Sequence, residues 1–594
     1  MDRQRLVIVS VVLILVVASG AAITLAATES VSPVPAATPI LPETNTEPAC
    51  PAVVSNPGAG TSADTDVDFE PRIVEAFPNP TTEHNVGEYV VLETPPDTEL
   101  ENWTVTDGHT SASIPNETVS GRVALSTDTE ATDELTDYPV HELEGSLRLA
   151  VDGDDLELRN GSTTVDTVSY ERAPLEERWH RDADEFDTAT TQTPADGDWH
   201  PRDATCVPIS SGDADEATPF VLPDEPELPR ETIREAEDRL SVAGYTLTSE
   251  EIAEDLVDAA DRGVDVSVLL EASPVGGTEE TTEPVLETLE DGDVEVRAIG
   301  GEGSRYRFHH PKYAVADEQV LVTSENWAPA GVGGESSRGW GVLLEDETLA
   351  ADLEAVFDAD FEGWDTVPGS EYREDTSFVD DEGGEEETPG SYPSEYGPEP
   401  TAIEAVELLV APDNAESRVE ELLADADEEI LVKQASIAAD ASVLEETIDA
   451  AHRGVDVQIL LDSTWYHEDD NRALADELEE YADDEGLSLE VGLVEETDRF
   501  EKIHAKGVVI DREVAIVGSA NWNENAFENN REVLLALSGE EIATYYADVF
   551  EDDWDGDEDR WELPFELSLT VVVALAIAAI IGRRYIRFGD PGVE

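Results

Sequence analysis

Lysine is almost missing from this chain. Of 594 residues only Lys312, Lys433, Lys502 and Lys506 are lysine, and Lys and Arg together number 33 against 140 Asp and Glu. The net charge of −107 and pI near 4.1 exclude a broad nucleic-acid grip through a basic surface, which needs clustered Lys and Arg. Methionine occurs once and cysteine twice. Such scarcity with acid excess matches adaptation to very high salt, where screening removes self-repulsion. Apolar residues are not scarce: 40% of the chain is hydrophobic, which excludes a disordered polyanion. The charge therefore describes the solvent more than a partner.

What is present gathers around the few lysines. The stretch His504–Glu532, HAKGVVIDREVAIVGSANWNENAFENNRE, sets His504 and Lys506 two residues apart beside an apolar run. Residues two apart in an extended strand share a face, so an imidazole stands beside a fixed positive charge. Asp511 follows, then the apolar run 514–517, then the turn Gly518-Ser519-Ala520-Asn521. An upstream copy has His310, Pro311 and Lys312, Asp317 at the same offset, and Thr323-Ser324-Glu325-Asn326-Trp327. Further back, ADRGVDVSVLLEAS reappears as AHRGVDVQILLDST. Each copy reads as an amphipathic helix ending at glycine before a buried strand. Repeats this far apart are two domains rather than a solenoid.

Paired H-x-K-x4-D motifs, each followed by a strand and a G-S-x-N turn, resemble the phospholipase D superfamily over roughly residues 225–556. The resemblance implies that both halves pack with their motifs in one cleft, without cofactor or metal. It implies catalytic roles for His310, Lys312, Asp317, His504, Lys506 and Asp511. Ser324, Asn326, Ser519, Asn521 and Glu532 are implied as phosphate-binding or supporting groups. One histidine, His310 by carry-over, would attack phosphorus and form a phosphohistidine; His504 would protonate the leaving alcohol and then activate water or an acceptor alcohol. The chemistry suits the residues: a neutral imidazole is a nucleophile, a protonated one an acid, and lysines and asparagines stabilise charge on pentacoordinate phosphorus. The first copy departs at Thr323, where the second has Gly518, and at Gly341, taken as the counterpart of Glu532. His309 points to the opposite strand face and is read as a bystander.

The length of 594 residues provides several domains. Residues 1–27, with the apolar run 6–17, read as a secretory signal or an uncleaved anchor, and 28–68 as a flexible stalk. Short alternating strands over 69–172 indicate an immunoglobulin-like β-sandwich. The segments EAFPNP, GEYVVLE, NWTVTDG, DGDDLEL and VDTVSY resemble the lamin-tail domain, which implies a binding or spacer role. Asn102, Asn116 and Asn160 lie in glycosylation sequons. Cys50 and Cys206 flank the sandwich and are either bridged or free thiols. Residues 173–224 are expected as a linker, 225–365 as the first phospholipase D-like half, 366–400 as an acidic linker and 401–556 as the second half. The apolar run within 563–582 predicts a transmembrane helix, and the basic tail 583–594 a cytoplasmic end.

The expected fold class is multidomain: a β-sandwich, duplicated α/β phospholipase D-type domains and a C-terminal transmembrane helix. The expected function is an extracellular, membrane-anchored phosphodiesterase hydrolysing or transferring phosphatidyl groups. A phospholipid or other phosphodiester would be its substrate, and the membrane its partner through the C-terminal helix. Two alternatives stand beside it. One is an exported nuclease of the same superfamily, with nucleic acid as substrate only; the other is a catalytically degenerate surface binding protein, suggested by Gly341 and Thr323.

Overall fold

A computed structural model describes residues 69–181, 194–379, 392–464, 467–494 and 497–556. The leader, the stalk and Cys50 lie outside these residues, as do the expected spanning helix 563–582 and the tail. Among the described residues no helix is long and apolar enough to cross a membrane. The longest described helix, Glu468–Glu485, is acidic through most of its turns and buries only a narrow stripe, including Leu474, Ala475 and Leu478. The fold class is corrected accordingly: a β-sandwich followed by two α/β halves, with no membrane-spanning helix among the described residues.

Two sheets form the sandwich. One runs Gly197–Pro201, Glu177–Arg181, Arg72–Phe77, Tyr89–Glu99, Thr118–Ser126, Val140–Glu142. The other runs Glu144–Ser146, Ser111–Ser113, Trp103–Thr106, Asp154–Asn160, Thr163–Tyr170. Ile73, Leu92, Val105, Leu125, Leu156, Val168 and Trp179 fill the space between them, as the two-residue period of their strands requires.

The sandwich continues beyond 172, because Glu177–Arg181 pairs with Arg72–Phe77 and Gly197–Pro201 pairs with Glu177–Arg181. The expected linker 173–224 is thus largely sheet. Glu-Arg-Trp-His-Arg hides its strand character: its arginines meet partners distant in sequence, Arg178 donating to Leu135 O at 2.7 Å and Arg181 pairing with buried Asp166 at 2.6 Å. Ser210–Gly212 then joins the second α/β sheet, and Glu216–Leu222 joins the first. The acidic linker also begins as structure, with strand Thr366–Pro368 and helix Gly369–Asp375.

Each α/β half is a mixed sheet. The first orders Thr366–Pro368, Glu295–Ile299, Asp265–Glu271, Arg239–Gly244, Tyr313–Ala316, Gln319–Thr323, Ser337–Glu345, Glu216–Leu222, Thr401–Ala402. The second orders Ser210–Gly212, Ala405–Ala411, Glu532–Ser538, Val514–Gly518, Lys506–Ile510, Glu429–Gln434, Asp456–Leu461, Leu489–Leu493. In both, a helix ends at a left-handed glycine, Gly263 at φ 99° or Gly454 at φ 103°, before turning into a parallel strand. Glycine takes that conformation without Cβ strain.

One apolar core is shared by the two halves. Trp340, Val342, Leu353 and Phe357 of the first pack with Val533, Leu535, Tyr546 and Phe550 of the second. Contact is so close at Gly507, inside the second motif, that a Cβ there would lie 2.1 Å from the Trp340 ring.

Candidate active site

Two arginines at equivalent strand positions hold the site together. Arg338 binds both carboxylate oxygens of Asp553, at 2.8 and 2.9 Å, and donates to Asp224 at 2.6 Å. Arg531 binds both oxygens of Asp360, at 2.8 and 3.0 Å, and reaches Asp413 at 3.3 Å. Asp553 lies on the second half's last helix and Asp360 on a helix of the first, so each pair crosses the interface. Both arginines are fully buried, and forked charge-assisted bonds of this kind fix direction as well as distance.

The carbonyls of these same arginines receive the motif histidines. His504 and Ala505 donate their backbone N–H to Arg338 O at 3.0 and 2.9 Å, and His310 donates to Arg531 O at 2.9 Å. Each motif therefore docks on the strand of the opposite half. Glu271 and Asp462 complete the seat by accepting the N–H of the preceding residue, His309 at 2.6 Å and Ile503 at 2.8 Å. His309 is buried with its Nε2 3.7 Å from Asp360, part of the interface packing.

Carboxylates also cross over to the imidazoles. His310 Nδ1 lies 2.9 Å from both oxygens of Glu532, and His504 Nδ1 lies 3.1 Å from Glu325. Glu532 and Glu325 are 0% and 1% exposed. Glu325 supplies the carboxylate whose absence Gly341 had suggested. The pairing register corrects that alignment: Thr323 opposes Gly341 and Gly518 opposes Leu534, which makes Gly339 the counterpart of Glu532.

Lys312 Nζ donates to His310 O at 2.6 Å, and Lys506 Nζ to His504 O at 2.8 Å. Burial, then the mutual repulsion of the two ammoniums, pushes Lys312 well below its usual range, while Glu532 and Glu325 oppose this. Burial brings Lys506 down to about 8. Burial also takes His310 down to about 4, against the pull of Glu532. His504 is pushed well below its ordinary value by burial, then by Lys506, Lys312 and Lys502, with His310 adding to the effect. Both motifs thus lie in one electrostatic neighbourhood. Glu532 stays below the usual carboxylate range because His310, Lys312 and Ser519 outweigh its burial.

The other expected residues divide into two sets. Ser324 Oγ accepts from Trp340 N at 3.0 Å, and Ser519 Oγ from Val533 N at 3.1 Å, so both serines brace the turn. Asn326 presents a buried Oδ1 without a hydrogen-bond partner among the described residues, at a cavity of about 150 Å³ shared with Tyr245, Glu271 and Tyr372. Asn521 follows the equivalent turn in the second half and is half-buried.

Asp317 and Asp511 stand apart from this cluster. Asp317 accepts three consecutive N–H groups, Glu237 to Arg239, at 2.8–2.9 Å. Asp511 does the same for Asp427 to Glu429, at 2.7–2.9 Å. Each lies about 16 Å along an extended strand from its motif lysine, at about 3.3 Å per residue. Their role is to anchor the turn entering the central strand, which corrects the expected catalytic assignment.

Sequence reasoning missed Glu325, Tyr245 and the Arg–Asp clamps. Tyr245 meets His310 edge-on at 4.7 Å between centroids, and its ring lies 5.3 Å from Lys312 Nζ. The clamps did leave a signal, since an aspartate follows a core phenylalanine by three residues in both helices, Phe357 to Asp360 and Phe550 to Asp553.

Residues 230–361 and 419–554 each match the family model described as cardiolipin synthase, PLD-like domain. The chain carries two phospholipase D-like domains. Mitochondrial cardiolipin hydrolases of Canis lupus familiaris and Homo sapiens are similar over 53 residues, at 38% and 36% identity, covering 9% of this chain. The chain spans 21% of the length of each of these curated relatives. Among solved structures, the phosphatidylserine synthase of Haemophilus influenzae is 14% identical, with TM-score 0.44 over 61% of this chain and 94% of that one. Nuc of Salmonella typhimurium, a phospholipase D family member, is 18% identical, with TM-score 0.22 over 27% of this chain and 96% of that one. In this chain each phospholipase D-like half supplies the other with a backbone seat and a carboxylate.

Proposed function

We propose that this protein is a phosphodiesterase of phospholipase D type that hydrolyses or transfers phosphatidyl groups through a phosphohistidine. The observation that carries this reading is the reciprocal pairing of His310 with Glu532 and His504 with Glu325 across one interface. With Nδ1 of each ring donating to a carboxylate, Nε2 is the nitrogen left to meet phosphorus. Nε2 of His310 attacks, forming the N–P bond, while the P–O bond to the alcohol breaks and His504 delivers its proton to the departing oxygen. His504 then takes a proton from water or an acceptor alcohol, whose oxygen attacks phosphorus and breaks the N–P bond. Lys312 and Lys506 stabilise the charge gathered on the phosphorane oxygens. A bound phosphodiester anion offsets the lysine field and lets His504 hold the proton it must give.

The degenerate reading loses its ground, since the carboxylate missing from the first half's strand is supplied by Glu325. A phosphatidyl substrate is favoured over nucleic acid by the cavity beside Asn326 and Tyr245. Its volume of about 150 Å³ is lined by Glu271 and Glu279 and, among the described residues, by no basic one, which suits an alcohol better than a further phosphate. An oxidising, extracellular setting for the catalytic halves predicts that Cys206 pairs with Cys50, the other cysteine of the chain.

The test is turnover in molar salt of headgroup-labelled phospholipid and, separately, of plasmid DNA. Headgroup release without nicking is the expected result; nicking without release would replace it with a nuclease. With acyl-labelled lipid, rapid quenching should trap the label on His310, and label on His504 would reverse the two roles.

A further inference from the structure

The two halves do not draw their carboxylates from the same place. Glu532 begins the strand Glu532–Ser538, whereas Glu325 lies in the turn between Thr323 and Asn326. At the turn position of the second half stands Ala520, and at the strand position of the first stands Gly339. Residue size is therefore exchanged between two sites: Glu with Gly in one half, Ala with Glu in the other. The space agrees with the exchange. A Cβ built on Gly339 would lie 2.2 Å from Glu325 Cγ and 2.5 Å from its Oε1, so the turn glutamate occupies the volume a strand side chain would fill. Gly339 is not among the glycines of positive φ, so sterics and not backbone conformation reserve the position for glycine.

We propose that Glu325 is the positioning residue for His504, and that Glu325 with Gly339 replaces the strand carboxylate that Glu532 supplies to His310. This rests on the two-histidine reading above. Glu325 holds the His504 ring by accepting its Nδ1–H, which fixes the tautomer and leaves Nε2 for the proton transfer. The turn also carries Asn326, so one short segment sets both the ring orientation and a group facing the cavity.

The experiment uses the full chain and two readouts. Nitrogen-15 histidine spectra report the tautomer of His504 with no substrate present, with His504→Asn giving the assignment. Steady-state turnover of labelled phospholipid across pH reports catalysis. Glu325→Ala should lower kcat about 10–100-fold with KM little changed, and the Nδ1–H signal of His504 should shift toward an exchanging mixture. Gly339→Ala should act in the same direction, because its Cβ displaces Glu325. Glu325→Ala with Gly339→Glu copies the arrangement of the second half and should recover the tautomer and most of kcat.

A His504 tautomer unchanged in Glu325→Ala would overturn the proposal, even in a protein that turned over no substrate. Failure of the double substitution to recover either readout, with melting temperature at wild-type level, would also overturn it. If the double substitution unfolds, Glu325→Gln decides: loss of kcat with wild-type melting supports the carboxylate role, and wild-type kcat rejects it. Absence of phospholipid turnover in the wild type with the tautomer shift intact would count against the substrate reading alone.

Discussion

The two phospholipase D-like halves share a plan and differ in how they meet its electrostatic cost. Both clamp an arginine of one half with an aspartate of the other. Around Arg531 the charges are balanced locally, since Asp360, Asp413 and Tyr306 face it and Arg305 has Asp365. Around Arg338 one carboxylate does more. Asp553 is shared by Arg338, Arg499 and Lys433, with Asp224 taking the remaining edge of Arg338. Lys433 occupies the strand position held by Ala243 in the first half, so the second half has a buried ammonium where the first has a methyl group. The lesson is that duplication preserved the contacts seating the catalytic backbone while the surrounding charge drifted.

That comparison can be broken in four ways. If both halves contribute one group to each turnover, His310→Asn and His504→Asn should each lower kcat by at least about a thousandfold. Circular dichroism should stay native, and wild-type rate in either variant would leave only one competent half. Next, Asp553→Asn should cost about 3–5 kcal/mol in denaturant unfolding, because it removes the carboxylate that three buried cations share. Asp360→Asn should cost less, since Asp413 and Asp365 remain; the opposite order would show that the charge balance is misread.

The lysines sharpen the comparison through pH. With Lys506 down at about 8 and His310 at about 4, the neutral imidazole and the ammonium coexist between those values. The acid limb of kcat/KM should therefore fall near pH 4 as His310 gains a proton, and beyond the loss of the His504 proton a further alkaline fall should come near pH 8 as Lys506 loses one. Lys506→Arg, charged throughout, should move the alkaline limb upward while slowing the maximum rate. A limb unmoved by Lys506→Arg belongs to another group. The smallest effect should come from Asp317→Ala or Asp511→Ala, each costing about 1–3 kcal/mol of stability through lost bonds to backbone N–H. The rate should change less than twofold, and a hundredfold loss would return these aspartates to the catalytic set.

His310, Lys312, His504 and Lys506 were legible because the repeat and the near absence of lysine elsewhere marked them. The helix–glycine–strand units were legible because glycine and the apolar period act over a few residues. Glu325 was not legible as more than a turn residue, since nothing local tells a solvated glutamate from one buried under the other half. The strands after residue 172 were missed for a related reason, as their arginines and histidines are polar by sequence and buried only by partners far along the chain.

Sequence alone determined which residue types could do phosphoryl chemistry and that there were two sets of them, because motif spacing and strand period are local properties of a chain. Only the tertiary structure decided that each set is seated and oriented by the opposite half. Backbone acceptors such as Arg338 O and the space left at Gly339 exist only once two surfaces close against each other, and no local pattern encodes a neighbour some two hundred residues away.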